Sequence, residues 1–353
     1  MWIWGRTNCR NIKKTRKPKT HLPTRGAGMK HNNSNIKIAL QTSPSNEEGV
    51  LLARQLGVEY LAMWSSATTY DEYKEIVDQA TAANLKVATC SSISNDERIV
   101  LALEGRDEVI EQYQNSLRAM GRAGLTYRTV SFMATGVTSS ARESARAGAS
   151  ARAYRDGFRL EQESYGLKTF SFEREYGEEE LWQNYEYFIR AVAPVAEESG
   201  VRIGIHPEDP PGITLGNVPR VIGSSFAGYK RALEIAASPN VGLCLCLGCV
   251  LEAGDNWGKT PVETIEYFGE RNKIFKVHFR NVNQPLPHFV EAFVDDGYCD
   301  MYPLMKALRQ VNNDCVLILD HSPNMVGGRH TGAAFAIGYI RALLERANEE
   351  LGS

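Results

Sequence analysis

A short apolar segment that ends in a histidine and a proline-rich turn sets the pattern of this chain: Val201-Arg-Ile-Gly-Ile-His206-Pro-Glu-Asp-Pro-Pro211. Its β-branched residues predict a strand, and the prolines end that strand and stiffen the turn. Three more segments place a metal-binding side chain where a strand is expected to end. They are Gly242-Leu-Cys-Leu-Cys246, Phe275-Lys-Val-His278-Phe-Arg280 and Val316-Leu-Ile-Leu-Asp320-His321. Two imidazoles, a thiolate and a carboxylate at successive strand ends indicate a mononuclear metal site.

The whole chain from residue 36 onward alternates apolar runs with amphipathic stretches, a pattern that favours parallel strands joined by crossover helices. Eight strands are predicted, at 36–40, 59–64, 86–90, 127–133, 201–206, 241–247, 273–280 and 315–320. Helices are predicted around 46–56, 70–83, 107–122, 178–199, 225–237, 260–270, 301–312 and 332–350. This α/β pattern predicts a (β/α)8 TIM barrel, whose active site lies at the C-terminal ends of the strands. A doubly wound open sheet is the alternative, and it would spread those ends along a line.

Two segments lie outside the predicted barrel units. Residues 1–35 contain nine Lys or Arg and no acid, and are interpreted as a disordered basic tail or an upstream extension, with a targeting peptide as the alternative. Residues 134–176 are predicted to be a helical or loop insertion after the fourth strand, and loops of this length are usually functional or disordered. Its arginines either reach over the barrel mouth toward an anionic substrate or lie on a solvated insertion; they are Arg142, Arg146, Arg152 and Arg155. Residues 36–353 are expected to form a single catalytic domain.

Charge and composition exclude several classes of protein. The chain carries a net charge of −2, and because residues 1–35 contribute nine positive charges, residues 36–353 carry −11. This balance argues against a nucleic-acid-binding face. No apolar run approaches the ~20 residues needed to cross a membrane. Seven cysteines without paired spacing indicate a reducing compartment, so a cytoplasmic location is expected.

Cys244 and Cys246 lie on the same face of their strand by alternation, and that face is expected to line the barrel interior. Cys246 is nearer the C-terminal end and is the better ligand, whereas Cys244 is expected one layer deeper, as core. Asp320 directly follows four aliphatic residues, and without a nearby cation its carboxylate would be a buried charge with no partner. After His206, either Glu208 or Asp209 is a candidate acceptor for the imidazole of a ligand.

These segments together resemble the mannonate dehydratase family, which has a xylose-isomerase-like TIM barrel. The resemblance covers nearly everything from about residue 36 and rests on five motifs in family order. They are HPEDPP at 206–211, CLG at 246–248, HFRN at 278–281, FVEA at 289–292 followed by GYCDM at 297–301, and DH at 320–321. The resemblance implies a hydro-lyase that converts a six-carbon sugar acid to a 2-keto-3-deoxy acid. It also implies a divalent metal, usually Mn²⁺, held by His206, Cys246, His278 and Asp320.

The residues suit this chemistry, because a divalent ion stabilises the charge of an enediolate by several kcal/mol. His321 is expected to donate or accept a proton, and Arg280 to clamp the substrate carboxylate. Further candidates for substrate binding are Asn281, Asp209 and Arg152. Since a thiolate is a soft ligand, Fe²⁺, Co²⁺, Ni²⁺ or Zn²⁺ are alternatives to Mn²⁺.

The chain departs from the family pattern at three positions. Ile318-Leu319 stands directly before Asp320, where the family has Arg-Pro. Val290 stands where the family has a histidine. Ala334 aligns with a family tyrosine that is assigned to acid–base catalysis. Losing these groups while keeping the ligands indicates that the metal centre is retained and that the substrate or the proton path has changed. Tyr339 and His330 are the candidate replacements.

Two other functions remain open at this point. A metal-dependent sugar isomerase or epimerase of the same barrel group would use similar enediolate stabilisation without losing water. A non-catalytic sugar-binding barrel would use the four ligands structurally. In each case the expected partner is a small sugar acid or sugar, with no nucleic acid or membrane, and we expect a homo-oligomer.

Overall fold

The computed structural model describes residues 34–91, 96–158 and 172–352. Eight parallel strands form the central sheet, and their spatial order follows the chain around a nearly closed barrel, from the third strand back to the first and then from the eighth back to the fourth. The strands are Lys37–Gln41, Tyr60–Trp64, Lys86–Ser91, Tyr127–Ser131, Arg202–His206, Val241–Cys246, Ile274–His278 and Val316–Ile318. The predicted (β/α)8 barrel is confirmed. At the remaining gap, the Thr129 N–H of the fourth strand donates to Ser91 Oγ of the third at 3.2 Å.

Within the described part of the chain, eight main helices surround the strands. They are Glu47–Gln55, Tyr70–Ala82, Arg106–Arg122, Glu178–Glu198, Phe226–Ala236, Pro261–Gly269, Met301–Val311 and Arg329–Leu351. Two begin with capping boxes, formed by Thr69 with Glu72 and by Thr260 with Glu263, which satisfy the first free N–H groups of each helix. Two short helices, Glu97–Val100 and Leu247–Ala253, were not predicted. None of the described helices combines the length and hydropathy of a membrane span.

The barrel interior is lined by small side chains at several levels. Ala39, Ala62, Val316 and Ile318 form an apolar cluster inside the sheet. On the fifth strand, a Cβ at Gly204 would lie 2.1 Å from Tyr127 Oη, so only glycine lets the Tyr127 ring cross the interior there.

The described part of the insertion after the fourth strand consists of short strands and one 3-10 turn. Glu143–Ser144 and Ser150–Ala151 form a small hairpin, and Ala153–Arg155 pairs antiparallel with His288–Ala292. This pairing brings Arg152 to the mouth of the barrel. The predictions for residues 1–33 and for 159–171 lie outside the described residues.

Candidate active site

The four candidate metal ligands meet at the C-terminal ends of the fifth to eighth strands. His206 Nε2 lies 3.1 Å from His278 Nδ1, and His278 Nδ1 lies 3.2 Å from Asp320 Oδ2. Cys246, His278 and Asp320 offer donor atoms within 4.8 Å of one another. Barrel geometry therefore gathers side chains that are more than a hundred residues apart in sequence.

Contacts behind the ligands fix the orientation of both histidine rings. His206 Nδ1 lies 2.6 Å from the carbonyl of Pro207, so its N–H donates there and its Nε2 lone pair faces His278. His278 turns Nε2 toward Cys244 Sγ at 3.4 Å. Cys244 lies one layer below Cys246, as predicted from strand alternation, but its contact with a ligand ring was not foreseen.

Cys246 and Asp320 are held in their anionic forms. Burial would raise the pKa of Cys246, but a hydrogen bond from Cys249 and the charge of Arg280 outweigh it, and the pKa lies well below its ordinary value. Burial likewise opposes ionisation of Asp320, but the positive charge of His278 dominates and holds the pKa of that carboxyl well below its usual range. Deprotonated thiolate and carboxylate are the forms that bind a metal ion.

Two buried arginines and four largely buried carboxylates meet at the candidate ligands and are named here the ion-pair cluster. Its members are Arg152, Arg280, Asp209, Glu252, Glu291 and Asp320. Arg280 donates to Glu252 at 2.7 Å, to Asp209 at 3.0 Å and to Asp320 at 3.2 Å. Each nitrogen of the guanidinium thus faces a carboxylate of the chain itself. These pairs fix the orientation of Arg280 next to Asp320, and a clamp on a substrate carboxylate stays a prediction.

Arg152 completes the ion-pair cluster from the insertion. It donates to Asp209, to Glu291 at 3.2 Å and to Glu252 at 3.3 Å. The two oxygens of Asp209 are therefore occupied by two arginines. Asp209 and Arg152 thus bond to each other, and Arg152 also lines a cavity at the barrel mouth. Substrate binding by these two residues stays a prediction.

Asn281 contacts the loop at 297–299. Its amide nitrogen donates to the Cys299 carbonyl at 2.8 Å, and its side-chain oxygen accepts from the Val282 N–H at 3.0 Å. A Cβ at Gly297 would lie 2.0 Å from the Asn281 side chain, so the loop packs directly against it. Asn281 therefore anchors this loop, and its binding of substrate stays a prediction.

A cavity of about 500 Å³ opens next to Asp320 at the mouth of the barrel. His321 lines this cavity with a side chain that is 40% exposed, and its Nδ1 lies 2.9 Å from Glu291 Oε1. Desolvation would lower the pKa of His321, but the carboxylates of Asp320 and Glu291 outweigh it and raise the pKa to about 9. In the protein alone, His321 is therefore protonated at neutral pH. Its Nε2 lies 3.7 Å from Asp320 Oδ1, beyond hydrogen-bond distance, so this N–H can donate to a molecule in the cavity.

The three departures from the family pattern place apolar side chains at their own positions. Ile318 lies in the interior apolar cluster, and Val290 packs against Ala151 and Ala153. The last helix presents Ala333 and Ile337 to the cavity on the side where Ala334 lies. Of the two candidate replacements, His330 pairs with Glu48 at 3.1 Å, and neither His330 nor Tyr339 is among the residues described as lining the cavity.

Sequence reasoning missed Cys249, Glu252 and Glu291 as parts of the site. Cys249 and Glu252 lie on the helix Leu247–Ala253, which begins directly after the ligand Cys246. The signal for Glu252 was present, since an acid inside an apolar run needs a buried partner. Glu291 belongs to the FVEA motif but had been given no role.

Sequence comparison finds relatives of this chain among known proteins. The family model D-mannonate dehydratase (UxuA) matches residues 157–348. A mannonate dehydratase from Oceanobacillus iheyensis is 30% identical over 312 residues, covering 78% of this chain and 85% of that protein.

Solved structures agree at the level of the fold. A mannonate dehydratase from Streptococcus suis superposes with a TM-score of 0.77 at 23% identity, over 91% of this chain and 95% of that one. A 3-keto-D-glucoside 4-epimerase from E. coli shares the barrel with a TM-score of 0.58 at 13% identity, over 88% and 99% of the two chains. The sequence match confirms the resemblance, and the chain belongs to the mannonate dehydratase family, the hydro-lyases that dehydrate a sugar acid.

Proposed function

We propose that this chain is a divalent-metal-dependent hydro-lyase that converts a sugar acid to a 2-keto-3-deoxy acid. His206, Cys246, His278 and Asp320 hold the ion, and His321 transfers a proton. The observation that carries the proposal is the convergence of four metal-binding side chains from four consecutive strand ends, beside a cavity lined by a protonated imidazole.

The donor groups fit a divalent cation. A buried thiolate and a buried carboxylate lie beside the two imidazoles, whose facing nitrogens are 3.1 Å apart. In the protein alone, burial disfavours the charged form of His278, but Asp320 and Cys244 outweigh it and raise its pKa well above the ordinary value. A bound metal ion would replace the proton of His278 as the positive charge beside the thiolate and the carboxylate. The mixed donor set suits Fe²⁺, Co²⁺, Ni²⁺ or Zn²⁺ as well as Mn²⁺.

The bound ion would supply Lewis-acid polarisation of the substrate oxygens. The residues around the ion would carry out the proton transfers. Dehydration removes the proton from C2 and the hydroxyl from C3, and the resulting enol becomes the 2-keto-3-deoxy acid. Hydroxide is a poor leaving group, so it must depart as water, and His321 Nε2 is placed to donate that proton. Glu291 holds the other ring nitrogen and keeps the imidazole facing the cavity.

We propose that D-mannonate is a weak substrate and that another sugar acid or a related polyol or ketose is preferred. Ile318, Val290 and Ala334 offer no hydrogen bond or proton where the family pattern has an arginine, a histidine and a tyrosine. A polar substrate that loses such partners loses affinity and transition-state stabilisation.

The test combines metal analysis with a substrate screen. We expect about one divalent ion per chain and release of a 2-keto-3-deoxy acid from at least one hexonate or pentonate, with D-mannonate turned over poorly. The paired variant Ala334→Tyr with Val290→His should raise D-mannonate dehydration. A kcat/KM for D-mannonate of about 10⁴ M⁻¹s⁻¹ or more in the unmodified protein would contradict the substrate proposal.

Two other results of the same screen would replace the proposal altogether. Interconversion of free sugars without loss of water would identify an isomerase or epimerase. A protein without bound metal and without turnover would indicate a non-catalytic sugar-binding barrel.

A further inference from the structure

A lysine lies inside the barrel, one layer below the candidate metal ligands. Lys276 is only 3% exposed and precedes His278 by two residues on the seventh strand, so both side chains lie on the same face of the sheet. Its backbone pairs in register with Cys244 on one side and Val316 on the other. Since Val316 belongs to the interior apolar cluster, the amine is enclosed by the barrel.

The surroundings of this ammonium group are aromatic. Nζ lies 5.9 Å from the ring centre of Trp64 and 6.0 Å from that of Tyr127, within the range of a cation–π contact. Within residues 34–91, 96–158 and 172–352, no hydrogen bond of Lys276 adds to these two ring contacts. Burial would raise the pKa of Cys244, but the charge of His278 and then that of Lys276 outweigh it, so the Cys244 thiol is the one anionic neighbour of the ammonium among the described residues. A buried cation without a hydrogen-bond acceptor is unfavourable unless an anionic or polar partner joins it.

The other buried cations beside the site are already neutralised. Arg152 and Arg280 face the carboxylates of the ion-pair cluster, which outnumber them; the carboxylates are Asp209, Glu252, Glu291 and Asp320. These arginines therefore offer little attraction to the carboxylate of a sugar acid. Lys276 supplies positive charge from the layer below the candidate ligands.

The cavity at the barrel mouth shares neighbours with this lysine. Trp64, whose ring is in contact with Lys276 Nζ, also lines the cavity. Ala39 lines the cavity floor and belongs to the same interior cluster as Val316, the register neighbour of Lys276. Alanine at position 39 leaves the floor open for a ligand group that descends toward the ammonium.

We propose that Lys276 Nζ binds the carboxylate of the sugar acid. This inference rests on the proposed function, because it assigns the acid group of that substrate to one residue. A carboxylate held at Lys276 places the adjoining C2 and C3 closest to the metal ligands in the layer above. Lys276 then selects acids over the corresponding uncharged sugars, since a neutral end group would leave the ammonium without a partner.

The test measures binding and does not depend on turnover. Co²⁺-loaded protein is titrated with aldonates (D-mannonate, D-gluconate and D-xylonate) and with the matching alditols, while visible absorption and heat are recorded. Wild type should prefer at least one aldonate over its alditol. Lys276→Met should retain Co²⁺ and bind that aldonate roughly 10- to 100-fold more weakly, the loss expected for a hydrogen bond to a charged group, with alditol binding unchanged.

Lys273→Met is the matched control, because Lys273 precedes the same strand and donates to the carbonyls of Ser238 and Val241. It should keep the aldonate preference of wild type. If Lys276→Met fails to fold, Lys276→Gln removes the charge with a smaller change in polarity. Equal binding of aldonates and alditols by wild type would overturn the proposal, as would an aldonate preference that survives in the Lys276 variants. Failure of the proposed function shows separately, as absence of a 2-keto-3-deoxy acid despite a normal aldonate preference.

Discussion

The two halves of the barrel mouth are built from the same strand–helix unit, yet they end differently. The fifth to eighth strands lead to His206, Cys246, His278 and Asp320, whereas the first to fourth end in the uncharged residues Gln41, Trp64, Ser91 and Ser131. The only gap in the barrel's ladder, within the described residues, lies between the third and fourth strands. The half that leads to the four candidate ligands is thus continuously hydrogen-bonded, which holds those side chains in place. The neutral half contributes Gln41 and Trp64 to the cavity lining. The repeated strand–helix unit fixes where the strand ends lie, and the few residues at those ends decide which chemistry is possible there.

The largest difference between the halves should appear when a buried cysteine is removed from each. Cys246→Ala should lose the metal and reduce turnover to background, because it removes one of four donors. Cys90→Ala, in the third strand, should keep both and lower the free energy of unfolding by about 1 kcal/mol, as a small buried truncation does. Elemental analysis, turnover and urea denaturation measure these effects. Full metal content in Cys246→Ala with loss in Cys244→Ala would show that the wrong thiolate is assigned.

A second prediction separates proton transfer from metal binding. His321→Asn should keep the metal and lower kcat by roughly two to four orders of magnitude, the usual contribution of a general acid or base. His288→Asn is the control, since His288 forms a half-exposed pair with Glu143 away from the ligands, and it should leave kcat unchanged. Loss of the ion in His321→Asn would make His321 a ligand, and unchanged turnover would remove it from the mechanism.

The third prediction concerns the ion-pair cluster. Arg280→Met should lower the free energy of unfolding by about 3–5 kcal/mol, because it leaves buried carboxylates without their cation. Measuring denaturation with chelator present removes the separate effect of metal binding. Arg190→Met breaks only an exposed helical pair with Glu186 and should change stability by less than about 0.5 kcal/mol. Equal stability of the two variants would contradict the proposed role of Arg280.

The smallest effect is expected at the layer below the ligands. Cys244→Ala should weaken metal affinity by roughly tenfold, the lower end of the usual effect of groups that orient a ligand, because His278 loses its contact at Nε2. Competition with a metal-binding dye measures this change. Unchanged affinity with reduced stability would return Cys244 to the purely packing role that the sequence predicts.

The sequence predicts the strands and the ligand positions for the same reason. Apolar runs mark buried strands, and a polar residue at the end of such a run marks a barrel mouth, so His206 and Asp320 are visible without coordinates. The helix Leu247–Ala253 is not visible, because the apolar run that contains Cys246 continues through the change from strand to helix. Glu252 was missed with it.

The sequence also does not predict which charged residues pair when they lie far apart in the chain. Arg280 meets Asp209 and Glu252 across 71 and 28 residues of chain, and nothing in the local pattern of any of them specifies the partner. The sequence therefore predicts substrate binding by the arginine beside a candidate ligand, but it does not predict the carboxylates that the fold brings to that arginine.

The backbone at Asp320 is left-handed, with φ of 73°, a conformation that side chains other than Asn, Asp and Gly adopt only with strain. Asp320→Ala would therefore combine loss of a ligand with a backbone penalty, whereas Asp320→Asn would remove only the charge. The same feature narrows the evolutionary paths open to this site. A lineage that lost the metal could vary Cys246 within the limits of packing. Position 320 would still accept mainly aspartate, asparagine or glycine, because its backbone would remain left-handed.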